Sequence, residues 1–397
     1  LLERIFPRFE QWVSERNLNI KFDYIERGGY FEIRGKGKDW LPRHYTMMIT
    51  EMFQDGVTKC LVGTRGLLGE GWDASRINVL VDLTTVTTSM SINQLRGRSF
   101  RLDKHWPEKV ANNWDIVCLA DEFTKGFDDY LRFKRKHKQL YGVCDDGAIE
   151  KGVGHVHAAF TEAEPEGVSE TMEIFNEEML MRARNRGRAR ELWGIGQPFN
   201  AVPREAIEIK GSFGEGFPPA NRIGLVAWSD ESLIQAIGDA VACSLQALGL
   251  IQFDAKVGGG SRGGGWMRAY LENASEEESE IFAEAMQEIL GPLDNPRYVI
   301  PREVKVVSET WLSEMLPKVI AKYFRRSENI LSMYHVVPSK LCRNLEDAKV
   351  FEQQWNWKVS PGEVMYGHSK KGKEWVSEIK MAGLAPKSSF HRKSVFT

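Results

Sequence analysis

The residues most able to do chemistry form one short run, Gln94-Leu95-Arg96-Gly97-Arg98-Ser99-Phe100-Arg101. On a helix, positions 94, 98 and 101 stand at i, i+4 and i+7, so one stripe carries an amide and two guanidiniums. A guanidinium keeps its charge, and its planar fork matches phosphate oxygens. Gly97 leaves room for another body to approach that face. An arginine delivered in this way to a phosphoryl-transfer site is worth about 10³–10⁵-fold in rate. The plain alternative is a solvated basic helix face.

A second run lies upstream, Gly63-Thr64-Arg65-Gly66-Leu67-Leu68-Gly69-Glu70-Gly71-Trp72-Asp73. It follows the short, mostly apolar Lys59-Cys60-Leu61-Val62, which reads as a strand buried on both faces. Glycine-exposed backbone N–H groups and a hydroxyl at the carboxyl edge of a sheet can hold a phosphate without reading a base. Asp73 can accept a bond from a ribose hydroxyl. Alone, this run is an ordinary Gly-rich connection.

The elements that must position these runs follow from periodicity. Tyr45, Met48, Ile49, Met52 and Phe53 make one apolar stripe, predicting a helix over 44–54 closed by Gly56. Further strands are expected at Ile77–Leu83 and Ile116–Ala120, with a helix over Ser91–Leu102 between them. Strand, helix, strand at this spacing is a βαβ unit with a parallel sheet.

Together and in this order, the two runs resemble motifs V and VI of superfamily 2 helicases and translocases, with the wording of restriction-enzyme-like and DEAD/DEAH-related members. The resemblance covers roughly residues 1–145. It implies an α/β fold: a second RecA-like domain over 1–150, a parallel sheet flanked by helices and truncated at its start. By the resemblance, Gly63, Thr64 and Arg65 contact the nucleic-acid backbone, and Gly71 and Asp73 lie at the ATP cleft. Gln94 then sits near the γ-phosphate and attacking water. Arg98 and Arg101 meet the phosphates, with Arg101 the finger. ATP and Mg²⁺ are the implied cofactors. DNA is the implied partner ahead of RNA.

The departures bound this expectation. No G-x-x-x-x-G-K-[ST] occurs, so the β-phosphate and Mg²⁺ need an N-terminal RecA-like domain of the same protein. The chain by itself is therefore expected not to hydrolyse ATP. Asp115–Thr124 imitates a strand delivering an acidic pair, but it follows the arginine motif, so Asp121 and Glu122 read as structural or capping residues. The non-enzymatic alternative is a RecA-like module that only binds nucleic acid or protein.

After about residue 150 the texture changes. Acidic Thr161–Glu170 reads as a linker, leading into a helix that ends in Arg182, Arg184, Arg186, Arg188 and Arg190. Those arginines spread around a helix, which favours a solvated element over a backbone-tracking one. Residues 151–220 form a helical linker region and 221–397 an α+β accessory domain. In the latter, Gly211–Pro219 and Gly258–Gly265 read as flexible loops. Strands are expected near Leu250–Val257 and Trp266–Glu272. Helices are expected at Glu276–Leu290 (capped by Ser275), Glu309–Arg325 and Lys340–Gln354. Trp266, Trp311, Trp355, Trp357 and Trp375 read as core.

Composition fits a globular chain: 42% hydrophobic, 27% charged, formal net charge −2. That balance leaves nucleic-acid binding open, because clustering of charge decides it. No apolar run approaches the roughly 20 residues that span a bilayer. With no signal peptide, a cytoplasmic location and no membrane partner are expected. Cys60, Cys118, Cys144, Cys243 and Cys342 lie far apart, excluding a zinc-spaced set, and Cys60 and Cys118 read as buried. His155 and His157 lack further ligands.

Overall fold

The structure is a computed structural model and describes residues 2–68, 72–194, 196–198, 202–211, 228–308 and 326–397. The chain is mixed α/β and divides into two units, Leu1–Gln139 with Pro165–Arg190, and Leu140–Glu164 with Glu191–Thr397. The expected helix Glu309–Arg325, Trp311, Gly71 and most of Gly211–Pro219 lie outside the described residues.

The first unit opens with α1 (Leu2–Glu15), the antiparallel hairpin β1 (Lys21–Arg27) and β2 (Tyr30–Lys36), and α2 (Pro42–Gln54). Phe9, Trp12 and Val13 of α1 meet Met48 and Met52 of α2 in one small core, which is why α2 keeps its apolar stripe. Then come β3 (Val79–Asp82), α3 (Ser89–Ser99), β4 (Asn112–Asp115) and α4 (Asp128–His137). β3 and β4 pair in parallel with Asp82 opposite Asp115. Helices α5 (Pro165–Arg184) and α6 (Arg186–Trp193) follow later in the chain. Pro165 opens α5, so half of the stretch expected as a linker is helical.

The extended parallel sheet expected for this unit is limited, among the described residues, to that β3–β4 pair. Lys59–Val62 is not a strand; no neighbour pairs with it, and Val62 is 87% exposed. Cys60 and Cys118, expected buried, are exposed. Ile116–Ala120 runs on from β4 into a tight turn, where Phe123 N–H donates to the Ala120 carbonyl at 3.1 Å and Gly126 N–H to Phe123 at 2.9 Å.

The second unit is built on an antiparallel sheet of six strands, ordered β5-β6-β13-β7-β9-β8. These are β5 (Tyr141–Val143), β6 (Ile149–Lys151), β7 (Arg204–Gly211), β8 (Lys256–Arg262), β9 (Trp266–Glu272) and β13 (Ser388–Phe396). Alternation sorts its faces: Ile207, Ile209, Met267, Ala269 and Leu271 join the apolar core with α7 (Asp230–Ala247) and α8 (Glu276–Leu290). Ser275 caps α8 through a reciprocal bond with Glu278. A second sheet, ordered β11-β10-β12, comprises β10 (Tyr298–Ser308), β11 (Arg326–Val336) and β12 (Met365–Tyr366). It is accompanied by α9 (Leu345–Lys358) and α10 (Lys370–Met381). Trp266 and Trp355 are core, whereas Trp357 is 75% exposed.

The Gly258–Gly265 segment, expected as a flexible loop, is the end of β8 and its tight turn into β9. Its glycines serve close approach. A Cβ on Gly259 would stand 2.0 Å from the Arg268 carbonyl oxygen, at φ +145°. No helix among the described residues is long and apolar enough to cross a membrane.

Candidate functional site

The site is assembled from three consecutive pieces of the first unit. Thr64 closes a single turn, its carbonyl accepting from the N–H groups of Leu67 and Leu68 at 3.0 Å each. Gly63 lies beneath that turn, where a Cβ would meet the Leu68 side chain at 2.7 Å. Arg65 reaches from it to the hydroxyl of Ser91 in the first turn of α3, at 2.8 Å.

Helix α3 is held from below. Ile92 and Ser99 are buried, and Ser99 Oγ lies 2.7 Å from Asn113 Oδ1 on β4. Arg96 donates to Asp115 at 2.5 Å and lies 3.0 Å from His137 Nε2 on α4. Lys136 forms ion pairs with both Asp82 and Asp115. Each strand of the parallel pair therefore ends in an aspartate; Lys136 bridges the two and Arg96 supplies the second positive charge. Burial works against the charge on Asp82, but the Lys136 and Thr84 bonds outweigh it and hold the carboxyl below its ordinary range. Sequence reading missed this cluster, although an aspartate closing each of VLVD and NNWD is a visible signal.

Fixed in this way, α3 presents Gln94 and Gly97 to solvent, and the space above Gly97 is open. Arg98 does not face outward with them. It is only 7% exposed and donates to the Trp72 backbone carbonyl. The stripe turns inward there because the 72–73 segment passes directly under the end of α3. Arg101, with 40% of its side chain exposed, donates to the same carbonyl at 3.2 Å and forms an ion pair with Asp73. Lys109 ties the ends together, donating to the carbonyls of Ser75 and Arg101 at 2.6 Å each.

The structure thus places Arg65, Asp73, Arg98 and Arg101 on one connected assembly, with Gln94 and Thr64 exposed beside it. Guanidinium and amide donors of this kind fit phosphate oxygens. Among the described residues no group of three or more His, Cys, Asp and Glu side chains is placed to hold a metal ion.

The remaining sequence candidates have local partners. Asp121 accepts from Ser169 of α5 at 2.9 Å. Arg186 donates to the Val110 carbonyl at 2.6 Å, and Arg190 to the Pro107 carbonyl at 3.1 Å and to Glu108. Those two arginines are staples rather than a free basic ladder. His155 lies 2.6 Å from the Gly152 carbonyl, and buried His157 accepts from Ala159 N–H at 3.2 Å.

Sequence reading also missed a buried charge network in the second unit. On the sheet face away from α7 and α8, Arg262 contacts Glu150 (3.2 Å), Glu208 (2.5 Å) and the Gly154 carbonyl (2.7 Å). Arg268 contacts Glu150, Glu208 (2.7 Å) and Asp146 (3.2 Å), and Lys393 bonds Glu150 at 3.2 Å. Burial opposes ionisation of Glu150, but Arg268, Lys393 and Arg262 together hold its carboxyl below the ordinary range. Burial pushes neighbouring Asp146 up. Arg262, Arg268 and Lys393 face Glu150, Glu208 and Asp146, with the partly exposed Asp145 4.0 Å from Arg262, so each buried charge has a counter-charge.

Comparison with protein-family models, with curated proteins and with solved structures finds no match to this chain.

Proposed function

We propose that the first unit is the second RecA-like domain of a superfamily 2 helicase or translocase. In this reading the β3–β4 pair belongs to a parallel RecA-like sheet, and the chain supplies half of an ATP cleft. The observation that carries it is the joint hold of Arg98 and Arg101 on the Trp72-Asp73 segment. The two sequence motifs are distinct in the chain and meet in space at the Trp72 carbonyl.

The roles follow. Thr64, Gly63 and Arg65 track a nucleic-acid backbone, and Arg65, bonded to Ser91, links that contact to α3. Gly71 and Asp73 line the nucleotide side. Gln94 orients water, and Arg101 exchanges Asp73 for the phosphates when a first RecA-like domain closes on it with ATP. That first domain holds Mg²⁺ and the β-phosphate. Substrate is DNA ahead of RNA, in the cytoplasm. Arg98 serves as the pin of the loop rather than as a mobile finger, because it is buried.

Burial of Arg98 also favours a second reading, a RecA-like module that binds nucleic acid or protein without turnover. ATP hydrolysis by the protein carrying both RecA-like domains, with and without duplex and single-stranded DNA or RNA, separates the two. Stimulated turnover is the expected result. Absence of turnover with every nucleic acid overturns the helicase reading in favour of the module.

A further inference from the structure

The second unit carries a basic and aromatic surface that the function above does not use. β12 is an edge strand of its sheet, pairing Tyr366 with Tyr298 of β10. The chain then makes Gly367 and His368 and enters α10, whose first residues are Lys370, Lys371, Gly372 and Lys373. Gly372 is buried against the strand, where a Cβ would stand 2.4 Å from the Tyr366 carbonyl oxygen. That close approach fixes Lys370, Lys371 and Lys373 beside β12, all exposed.

Arg297 joins them, since its carbonyl accepts from Gly367 N–H at 2.9 Å and its side chain is exposed. Among the described residues, no carboxylate lies within ion-pair distance of Arg297, Lys370, Lys371 or Lys373. Nearby Asp294 is taken by Lys380 at 3.4 Å. Glu374 follows Lys373 on α10 and offsets part of the charge. Lysines in a first turn also oppose the helix dipole, so this placement does nothing for the fold. Beside the cations an aromatic surface is open: Tyr366 is 47% exposed, backed by Tyr298 at 5.2 Å and flanked by His368 at 5.8 Å between ring centroids.

We propose that this surface binds single-stranded nucleic acid. Lys370, Lys371, Lys373 and Arg297 meet the phosphates, and a base stacks on Tyr366. A cationic track beside a supported aromatic face is what a strand with free bases needs, whereas a duplex buries those faces. The proposal takes the class of partner from the reading above, but its test does not involve ATP, so the two fail separately.

The test is fluorescence-anisotropy titration of the 397-residue chain with a mixed-sequence single-stranded DNA oligonucleotide at several salt concentrations. The triple variant Lys370→Gln/Lys371→Gln/Lys373→Gln is expected to weaken binding at least tenfold. Three lost contacts make the slope of log affinity against log salt shallower by about 2. Tyr366→Ala is expected to weaken binding about tenfold and Tyr366→Phe to leave it unchanged. Lys349→Gln, whose charge is already paired with Glu352, leaves affinity unchanged. The triple variant melts no lower than the parent, so lost binding is not lost folding. Unchanged affinity and slope in the triple variant overturn the proposal. So does an absence of binding by the parent, or an effect confined to anionic phospholipid vesicles.

Discussion

Arg101 reaches from the end of α3 to the backbone carbonyl of Trp72 at 3.2 Å, the same oxygen that buried Arg98 holds. One carbonyl therefore joins two arginines of unequal exposure, and the inequality assigns them different work.

Arg98→Ala removes a buried, charged donor and leaves the Trp72 carbonyl without it. The expected cost is about 1.5–3 kcal/mol of stability, read by chemical denaturation. Arg101→Ala, at a largely solvated position, is expected to cost under about 1 kcal/mol. Equal losses from the two would contradict the division of roles.

Removing one cation from the buried network of the second unit is expected to be costly. Arg262→Met leaves Glu150 and Glu208 short of a cation, and an expected loss of about 3–5 kcal/mol follows for breaking a buried pair. A melting temperature close to the parent's would mean that the carboxylates find another partner.

Acid should unfold both units through these carboxylates. Asp82 and Glu150 are held below their ordinary pKa, Asp82 by Lys136 and Glu150 by Arg268, Lys393 and Arg262. The stability they contribute is present above the unfolded-state carboxylate range of about 4 and lost as pH falls through their folded values. Asp146, pushed up by burial, opposes part of this, since folding favours its protonated form. Melting temperature should fall below about pH 4, and Lys136→Met should flatten the part due to Asp82. An acid limb unchanged by that substitution would count against the assignment.

Gly259→Ala places a methyl group against the Arg268 carbonyl at a φ of +145°. The expected loss exceeds about 1 kcal/mol, because alanine is strained wherever φ is positive. A neutral result would mean that β8 relaxes away from β9 at this position.

Much of this was legible in the sequence where the signal was local. The α2 stripe, the Ser275 cap of α8 and the strand Trp266–Glu272 all appear where periodicity and capping chemistry put them. The two runs are grouped in the sequence only through a resemblance; the bonds from Arg98 and Arg101 to the Trp72 carbonyl are not legible there. What stayed hidden depends on partners distant in sequence. Lys59–Val62 has strand composition, but a strand exists only where a neighbour pairs with it. Arg98 shares a helical stripe with Gln94, yet the carbonyl that draws it inward belongs to Trp72. The run GGGSRGGG reads as a flexible loop until Glu150 and Glu208 supply a reason for Arg262 to be buried in it. An antiparallel sheet with one apolar and one charged inner face has no composition that announces it.

The central claim rests on Arg101 acting at phosphates. It is tested most directly by nucleic-acid-stimulated ATP turnover of the protein carrying this chain and the proposed first RecA-like domain, parent against Arg101→Ala, with nucleic-acid binding measured alongside. The account predicts a fall in stimulated turnover of about 10³-fold or more with binding retained. Turnover unchanged by the substitution would contradict it and leave Arg101 as a structural partner of Asp73.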